Sequence, residues 1–152
     1  MKISKTNFKN NSAKYSIFIG LGAIKLLRKQ IGLVCPETKK VALIFDKRIP
    51  NKLKTKVKQQ VSNYEVHTYQ FFVDEKLKSF KNVNQLNEEL IKKNFNRNDL
   101  IVAIGGGVIG DFAGFVASIL KRGVNFINLP STFLSQVDAS IGGKTGINSS
   151  KG

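Results

Sequence analysis

The sequence has one cysteine and one histidine in 152 residues. A lone thiol, Cys35, cannot close an internal disulfide, which excludes the disulfide framework of small secreted domains. A lone imidazole, His67, excludes a multi-histidine metal site within these residues. Acidic side chains are scarce: 10 Asp+Glu stand against 25 Lys+Arg, a formal net charge of +15. Arginine is scarce as well, at 4 of those 25. Readers of bases and phosphates favour the bidentate arginine fork. The lysines are scattered, as in Lys52, Lys54, Lys56 and Lys58, without aromatic residues between them. A solvated, lysine-decorated surface explains this pattern more simply than a nucleic-acid face, which stays as the alternative. The opening residues Met1 to Asn10 contain no apolar core of a signal peptide, so no secretory signal is expected. No internal repeat or low-complexity linker interrupts the chain.

What is present is a globular composition, 41% hydrophobic, at a length that suits one domain. The charge is uneven: residues 1–100 hold 21 basic and 8 acidic side chains, residues 101–152 only 4 and 2. The apolar stretch Leu100–Leu120 has the length of a membrane span. Its five glycines and central Asp111 suit a buried strand, a turn and a helix far better.

Short apolar runs alternate with amphipathic stretches. Strands are expected at Tyr15–Ile19, Val41–Phe45, Glu65–Phe72, Leu100–Ile104 and Asn125–Leu129. Helices are expected at Ala23–Ile31, Asn51–Val61, Val83–Phe95 and Ile109–Leu120. Continuous apolar runs such as Val41–Phe45 mark strands buried on both faces. The alternation predicts an α/β fold: a Rossmann-like, mainly parallel sheet with flanking helices and right-handed crossovers. After Ser131 the chain turns polar and glycine-rich, with no further element expected.

Gly105, Gly107 and Gly110 satisfy G-x-G-x-x-G between a predicted strand and a predicted helix. Glycines let backbone approach a phosphate, and a helix N-terminus offers free N–H groups. A tight turn that only permits helix–strand packing is the plainer alternative. The acid that a dinucleotide fold places about 20 residues further on is missing. Asn128, Leu129 and Pro130 stand there, and the free acid at a strand end is Asp46. Gly114 and Ala117 suit helix packing, His67 a structural role and Cys35 an unreactive loop position. Ser135 has no histidine partner in the second half of the chain, which argues against a serine nucleophile. The segment Pro130–Asn148 gathers hydroxyls, an amide, Asp138, a Gly-Gly pair and Lys144 into 19 residues after a strand. In an open α/β sheet that is where ligands sit. Lys144 suits an anion, and Asp138 a hydroxyl.

Gly105–Asp111, Lys121-Arg122-Gly123 and Pro130–Asn148 together closely resemble the 3-dehydroquinate synthase family. So do Tyr15–Gly20, Val41–Asp46 and Glu75-x-x-Lys78. The run from Gln136 to Thr145 is the most specific part. The resemblance implies conversion of 3-deoxy-D-arabino-heptulosonate 7-phosphate to 3-dehydroquinate and phosphate in the shikimate pathway. It implies NAD that is reduced and reoxidised within each turnover, and a divalent metal, zinc or cobalt. It implies a cytoplasmic homodimer, with neither nucleic acid nor membrane as partner. Positions matching NAD contacts are Asp46, Lys47, Arg48, Glu75 to Lys78, Gly106, Gly107, Val108, Asp111, Ser131 and Thr132. Asp138 and Lys144 match substrate contacts. Arg122 matches an arginine that reaches the substrate's phosphate from the partner subunit.

Three departures accompany the resemblance. Asp74 stands where the family has glycine, which is expected to alter the turn. Ser131 replaces a threonine and keeps the hydroxyl. The sequence ends at Gly152, where the family continues with a lysine and a helical domain carrying a glutamate and two histidines as metal ligands. Residues 1–152 are therefore expected to be the NAD-binding α/β domain, ending in the substrate loop 130–152 and inactive alone. A polyol or glycerol-phosphate dehydrogenase, with a similar glycine turn, is the second enzyme reading.

Overall fold

The computed structural model describes residues 2–9 and 14–149. Its core is a four-stranded, wholly parallel sheet of β3 (Lys40–Asp46), β4 (Glu65–Phe71), β5 (Leu100–Gly105) and β6 (Asn125–Pro130), in the order β4-β3-β5-β6. The two central strands are the continuous apolar runs. From Val41 to Asp46 and throughout β5 every residue is buried, whereas the edge strands β4 and β6 are only half-buried. Side chains alternate between the faces of a strand. Val41, Leu43, Phe45, Leu100, Val102 and Ile104 face α1 (Leu27–Val34) and α2 (Asn51–Gln60), where Ile31, Val57 and Val61 meet them. Ala42, Ile44, Ile101 and Ala103 face α3 (Phe80–Lys92) and α4 (Gly107–Ile119), where Leu86, Leu90, Phe112 and Val116 meet them. Each fully buried Leu, Ile, Val or Phe contributes roughly 1.5–3 kcal/mol, so this two-faced burial holds the sheet.

The expected elements are present with shifted ends. A 3₁₀ turn, Ala23–Leu26, precedes α1, so the first helix is shorter than its apolar pattern implies. Helix α3 starts three residues before the expected Val83, because the Ser79 hydroxyl accepts the Asn82 N–H and caps it. Phe95 lies beyond its end and folds back, buried, edge-on to the His67 ring at 5.5 Å. Helix α4 starts inside the glycine turn, with Gly106 as its cap residue. Two elements carry no apolar signal. Strand β1 (Ser4–Lys9) is exposed along its whole length and pairs antiparallel with β2 (Lys14–Ile19) in a hairpin outside the main sheet. The polar stretch after β6 is not free of structure, since Ser135–Ala139 forms a π-helical turn.

Asp99 is fully buried at the amino end of β5. Its carboxylate accepts the N–H groups of Lys39, Lys40 and Asn96 at 2.8–3.2 Å. It thus clamps the entries to β3 and β5, on the sheet edge away from the glycine turn. No described helix is long and apolar enough to cross a membrane.

Candidate functional site at the carboxyl edge of the sheet

Because the strands are parallel, the loops after β3, β4, β5 and β6 emerge on one edge. The register sets Gly105 opposite Pro130 and Asp46 opposite Phe71, and pairs Phe45 with Ile104 just before the edge. From β3 the chain leaves to α2 on one face, and from β5 to α4 on the other. The gap between Asp46 and Gly105 is therefore the topological switch point, where open α/β sheets hold their ligands.

Asp46, 7% exposed, is not the free acid its position suggests. The chain turns two residues later and brings Arg48 back onto it. The Arg48 N–H donates to Asp46 Oδ1 at 2.9 Å, and the guanidinium Nη2 to Oδ2 at 2.9 Å. Burial pushes the carboxyl upward, but the Arg48 hydrogen bonds and charge outweigh it and hold Asp46 below its ordinary range. Arg48 also donates to the Val73 carbonyl at 3.2 Å, tying this turn to the loop after β4. Next to it the Lys47 ammonium stands 4.2 Å from the centre of the exposed Phe72 ring. Asp74, the residue in place of a family glycine, has extended backbone (φ −134°, ψ 174°) that needs no glycine. Its carboxylate caps the following 3₁₀ turn by accepting the Leu77 N–H at 3.1 Å.

That turn, Glu75–Leu77, delivers Lys78 to the start of α4. Lys78 Nζ lies 2.7 Å from Glu75 Oε1 and 3.4 Å from Asp111 Oδ2. The Glu75 contact foremost raises the Lys78 pKa, with Asp111 adding to it. Burial raises the pKa of Asp111, against the pull of Lys78. Asn148 returns to the same place: its N–H donates to the Lys78 carbonyl at 2.7 Å, and its amide to the Glu75 carbonyl at 3.2 Å.

The glycine turn is shaped by the segment that follows β6. A Cβ on Gly106 would stand 3.2 Å from the Thr132 methyl, and one on Gly107 3.3 Å from the Ala139 Cβ. Their missing side chains let residues 132–139 settle over the turn. The first N–H groups of α4, at Gly107 and Val108, have no partner within the helix, as in any helix start. Ser131 donates its N–H to the Gly105 carbonyl at 2.8 Å. Thr132 is held by the buried Ser135, with the two hydroxyl oxygens 2.8 Å apart. Asn128, at the place of the missing ribose acid, instead faces α4, where a Cβ on Gly110 would lie 2.9 Å from its amide nitrogen. Gly114 serves close approach too, though to Thr145 and Phe126 rather than to another helix.

Asp138 and Lys144 are exposed on the same edge. Gly142 and Gly143 have φ of +98° and +69°, left-handed backbone that favours glycine, and they aim the chain into Lys144. The Gly142 N–H donates to the Tyr15 hydroxyl at 2.9 Å. The edge thus brings together Asp46, Lys47, Arg48, Glu75, Lys78, Gly106, Gly107, Val108, Asp111, Ser131, Thr132, Asp138 and Lys144. Arg122 is not among them. It follows the far end of α4, exposed at φ +67°, on the opposite edge of the sheet.

A family model described as 3-dehydroquinate synthase N-terminal matches residues 68–152. The chain belongs to the 3-dehydroquinate synthase family. Among its curated relatives, a 3-dehydroquinate synthase of Pelagibacter ubique is 42% identical over 152 residues, covering 100% of this chain and 41% of that protein. Another, of Nitrobacter winogradskyi, is 43% identical over 140 residues, covering 91% of this chain and 36% of that protein. The chain thus spans about two fifths of the length of these family members. In fold it is similar to a 2-deoxy-scyllo-inosose synthase solved with carbaglucose-6-phosphate, NAD+ and Co2+, at 24% identity and a TM-score of 0.85, covering 98% of this chain and 41% of that one.

Three residues that the sequence motifs left without a role belong to the family member's edge: Tyr15, Ser135 and Asn148. Ser135 is signalled only by its i+3 spacing from Thr132. Asn148 lies inside the quoted motif, but its bonds go to main-chain carbonyls that no pattern reveals. The described residues contain no group of three or more His, Cys, Asp or Glu able to hold a metal ion. His67 is far from such a role: its Nε2 lies 2.8 Å from Glu65 Oε1 on an edge strand. Cys35 is buried, and burial pushes its thiol pKa up, away from a reactive thiolate.

Proposed function

We propose that this chain is the NAD-binding α/β portion of an enzyme that converts 3-deoxy-D-arabino-heptulosonate 7-phosphate to 3-dehydroquinate and phosphate. The observation that carries the reading is the switch-point pairing of Asp46 with the glycine turn at the start of α4, under a loop that ends in Lys144. The pyrophosphate of NAD suits the N–H groups of Gly107 and Val108, reinforced by the positive end of the helix. Asp46 and Arg48 suit the adenine-side ribose. Lys47 flanks them with a positive charge. The Glu75–Lys78–Asp111 network, with Ser131 and Thr132, shapes the floor on which the nicotinamide half rests. Bound there, NAD would take a hydride from the carbon that bears a substrate hydroxyl and later return it, so no net redox change would result.

Asp138 and Lys144 would face the substrate, the lysine neutralising an anionic group and the carboxylate accepting a hydroxyl. The described residues supply no ligand set for a divalent metal, so no step is assigned to one within this chain. A zinc or cobalt ion, which solved cyclases hold beside NAD+, would take its ligands from sequence outside these residues. The position of Arg122, on the edge remote from Lys144, fits a residue that serves the site of a partner subunit in a cytoplasmic homodimer.

Phosphate release tests the reading. The whole protein, given the heptulosonate phosphate, NAD and a divalent metal, should release phosphate without accumulating NADH, and a chelator should stop it. Residues 1–152 alone should release none above background. Steady NADH accumulation with a polyol would move the assignment to the dehydrogenases that share this fold, and turnover by the chain alone would overturn it.

A further inference from the structure

The β1–β2 hairpin makes no strand pairing with the main sheet. Its one described hydrogen bond to the site joins Tyr15 to Gly142, residues 127 positions apart. We propose that the Tyr15 hydroxyl is a positioning group for the Gly142–Lys144 loop, fixing where the Lys144 ammonium stands. The proposal rests on the reading of Lys144 as the side chain that holds an anionic substrate group.

Three observations carry it. Gly142 and Gly143 both adopt left-handed backbone, and a Cβ on either would meet nothing within 4 Å. Two successive glycines without packing have the largest conformational freedom to lose, so hydrogen bonds must hold them. On the far side of Lys144 the chain is anchored, by Thr145 against Gly114 and by Asn148 on the carbonyls of Lys78 and Glu75. On the near side the Ile141 N–H donates to the Asp138 carbonyl at 2.9 Å, and the last hold before Lys144 is the bond from the Gly142 N–H to the Tyr15 hydroxyl. The acceptor is itself fixed. The Tyr15 ring lies against Phe8 with centroids 5.0 Å apart, and β1 and β2 pair along six residues each. Lys144 therefore sits between two anchors, one of which is supplied by the hairpin.

Backbone NMR on the 152-residue chain tests this, with inorganic phosphate as the probe. In Tyr15→Phe, which keeps the ring, amide exchange at Gly142 should speed up about fivefold, the size of one neutral hydrogen bond. Exchange at Thr6 and Ile17 within the hairpin should not change. The phosphate dissociation constant read at the Lys144 amide should rise by a similar factor. An unchanged Gly142 exchange rate, or an unchanged phosphate affinity, overturns the proposal. Phe8→Leu keeps the hydroxyl but loosens the ring that holds it, and should weaken phosphate by clearly less than Tyr15→Phe does. If it weakens phosphate as much as Tyr15→Phe does, hairpin packing carries the effect and the positioning role is refuted. Lys144→Ala separates the two ideas. If it abolishes the phosphate response while Tyr15→Phe changes nothing, the positioning role alone fails. If phosphate still shifts the Gly143 amide in Lys144→Ala, the reading of Lys144 fails, and the positioning role with it.

Discussion

Lys78→Met removes the cation from the centre of the carboxyl-edge network and leaves a side chain of similar length. Lys78 is 15% exposed and serves two carboxylates of different surroundings. Glu75, 61% exposed, can return to water, so losing its contact costs about 0–1 kcal/mol. Asp111 is 27% exposed and cannot rehydrate fully. Stranding it costs about 1.5–3 kcal/mol, below the roughly 3–5 kcal/mol of a fully buried broken pair. The variant should therefore lose about 2–3 kcal/mol in urea unfolding followed by far-ultraviolet circular dichroism at pH 7. At about 2–4 °C per kcal/mol for a domain of this size, its midpoint should fall by roughly 4–12 °C.

The sign of the pH dependence is fixed as well. Asp111 has a raised pKa in the fold, so its charged form is disfavoured there, and losing Lys78 raises that pKa further. Glu75 has a lowered pKa, chiefly through the Lys78 hydrogen bond, so its contribution is present above its unfolded pKa and lost as pH falls. Both make the deficit of Lys78→Met largest at neutral pH and shrink it as pH falls through the carboxylate range. Adding Asp111→Leu should restore most of the stability, since replacing both partners of a pair by apolar groups is close to neutral. A deficit below 0.5 kcal/mol, or one that does not change between neutral and acid pH, would refute the network.

Other perturbations follow from the same geometry. Gly114→Val would drive a branched side chain into Thr145 and Phe126. It should cost about 1–3 kcal/mol and free the 144–148 segment, seen as faster amide exchange at Asn148. Asp46→Ala should weaken cofactor binding and flatten the acid limb of the stability curve. The folded Asp46 pKa is lowered, so its stabilising effect is present above the unfolded pKa and lost as pH falls through the folded one. In the whole protein, Lys144→Ala should cut phosphate release by tenfold or more while leaving the unfolding midpoint within a degree or two, because the side chain is exposed. A midpoint drop with normal turnover per folded molecule would make Lys144 structural.

The fold was readable where apolar side chains decide it. Val41–Phe45 and Leu100–Ile104 are buried on both faces, and short, continuous apolar runs of this length suit central strands. Strand β1 escaped because Ser4–Lys9 is exposed throughout, and its partner, not its composition, makes it a strand. The start of α3 shifted because a cap, Ser79, outranks the first apolar position of the helix. The site divides in the same way. Glycines and charges ordered along the sequence, such as Gly105–Asp111 or Gln136–Thr145, announce themselves by spacing. The pairing of Arg48 with Asp46, the bridging of Glu75 and Asp111 by Lys78, and the link from Tyr15 to Gly142 depend on how loops from different strands meet. No local pattern encodes them.

NAD binding at the carboxyl edge around Asp46 and Gly106–Val108, as proposed above, can be measured directly. The chain contains no tryptophan, so the fluorescence of NADH can be followed without an overlapping indole signal. Titrating NADH with the 152-residue chain should give saturable one-to-one binding, with amide shifts confined to Gly106–Val108, Asp46–Arg48 and Ser131–Thr132, and Asp46→Ala should weaken it. Binding that does not saturate, or shifts that fall instead on the lysines of α2, would show that NAD is not held at this edge.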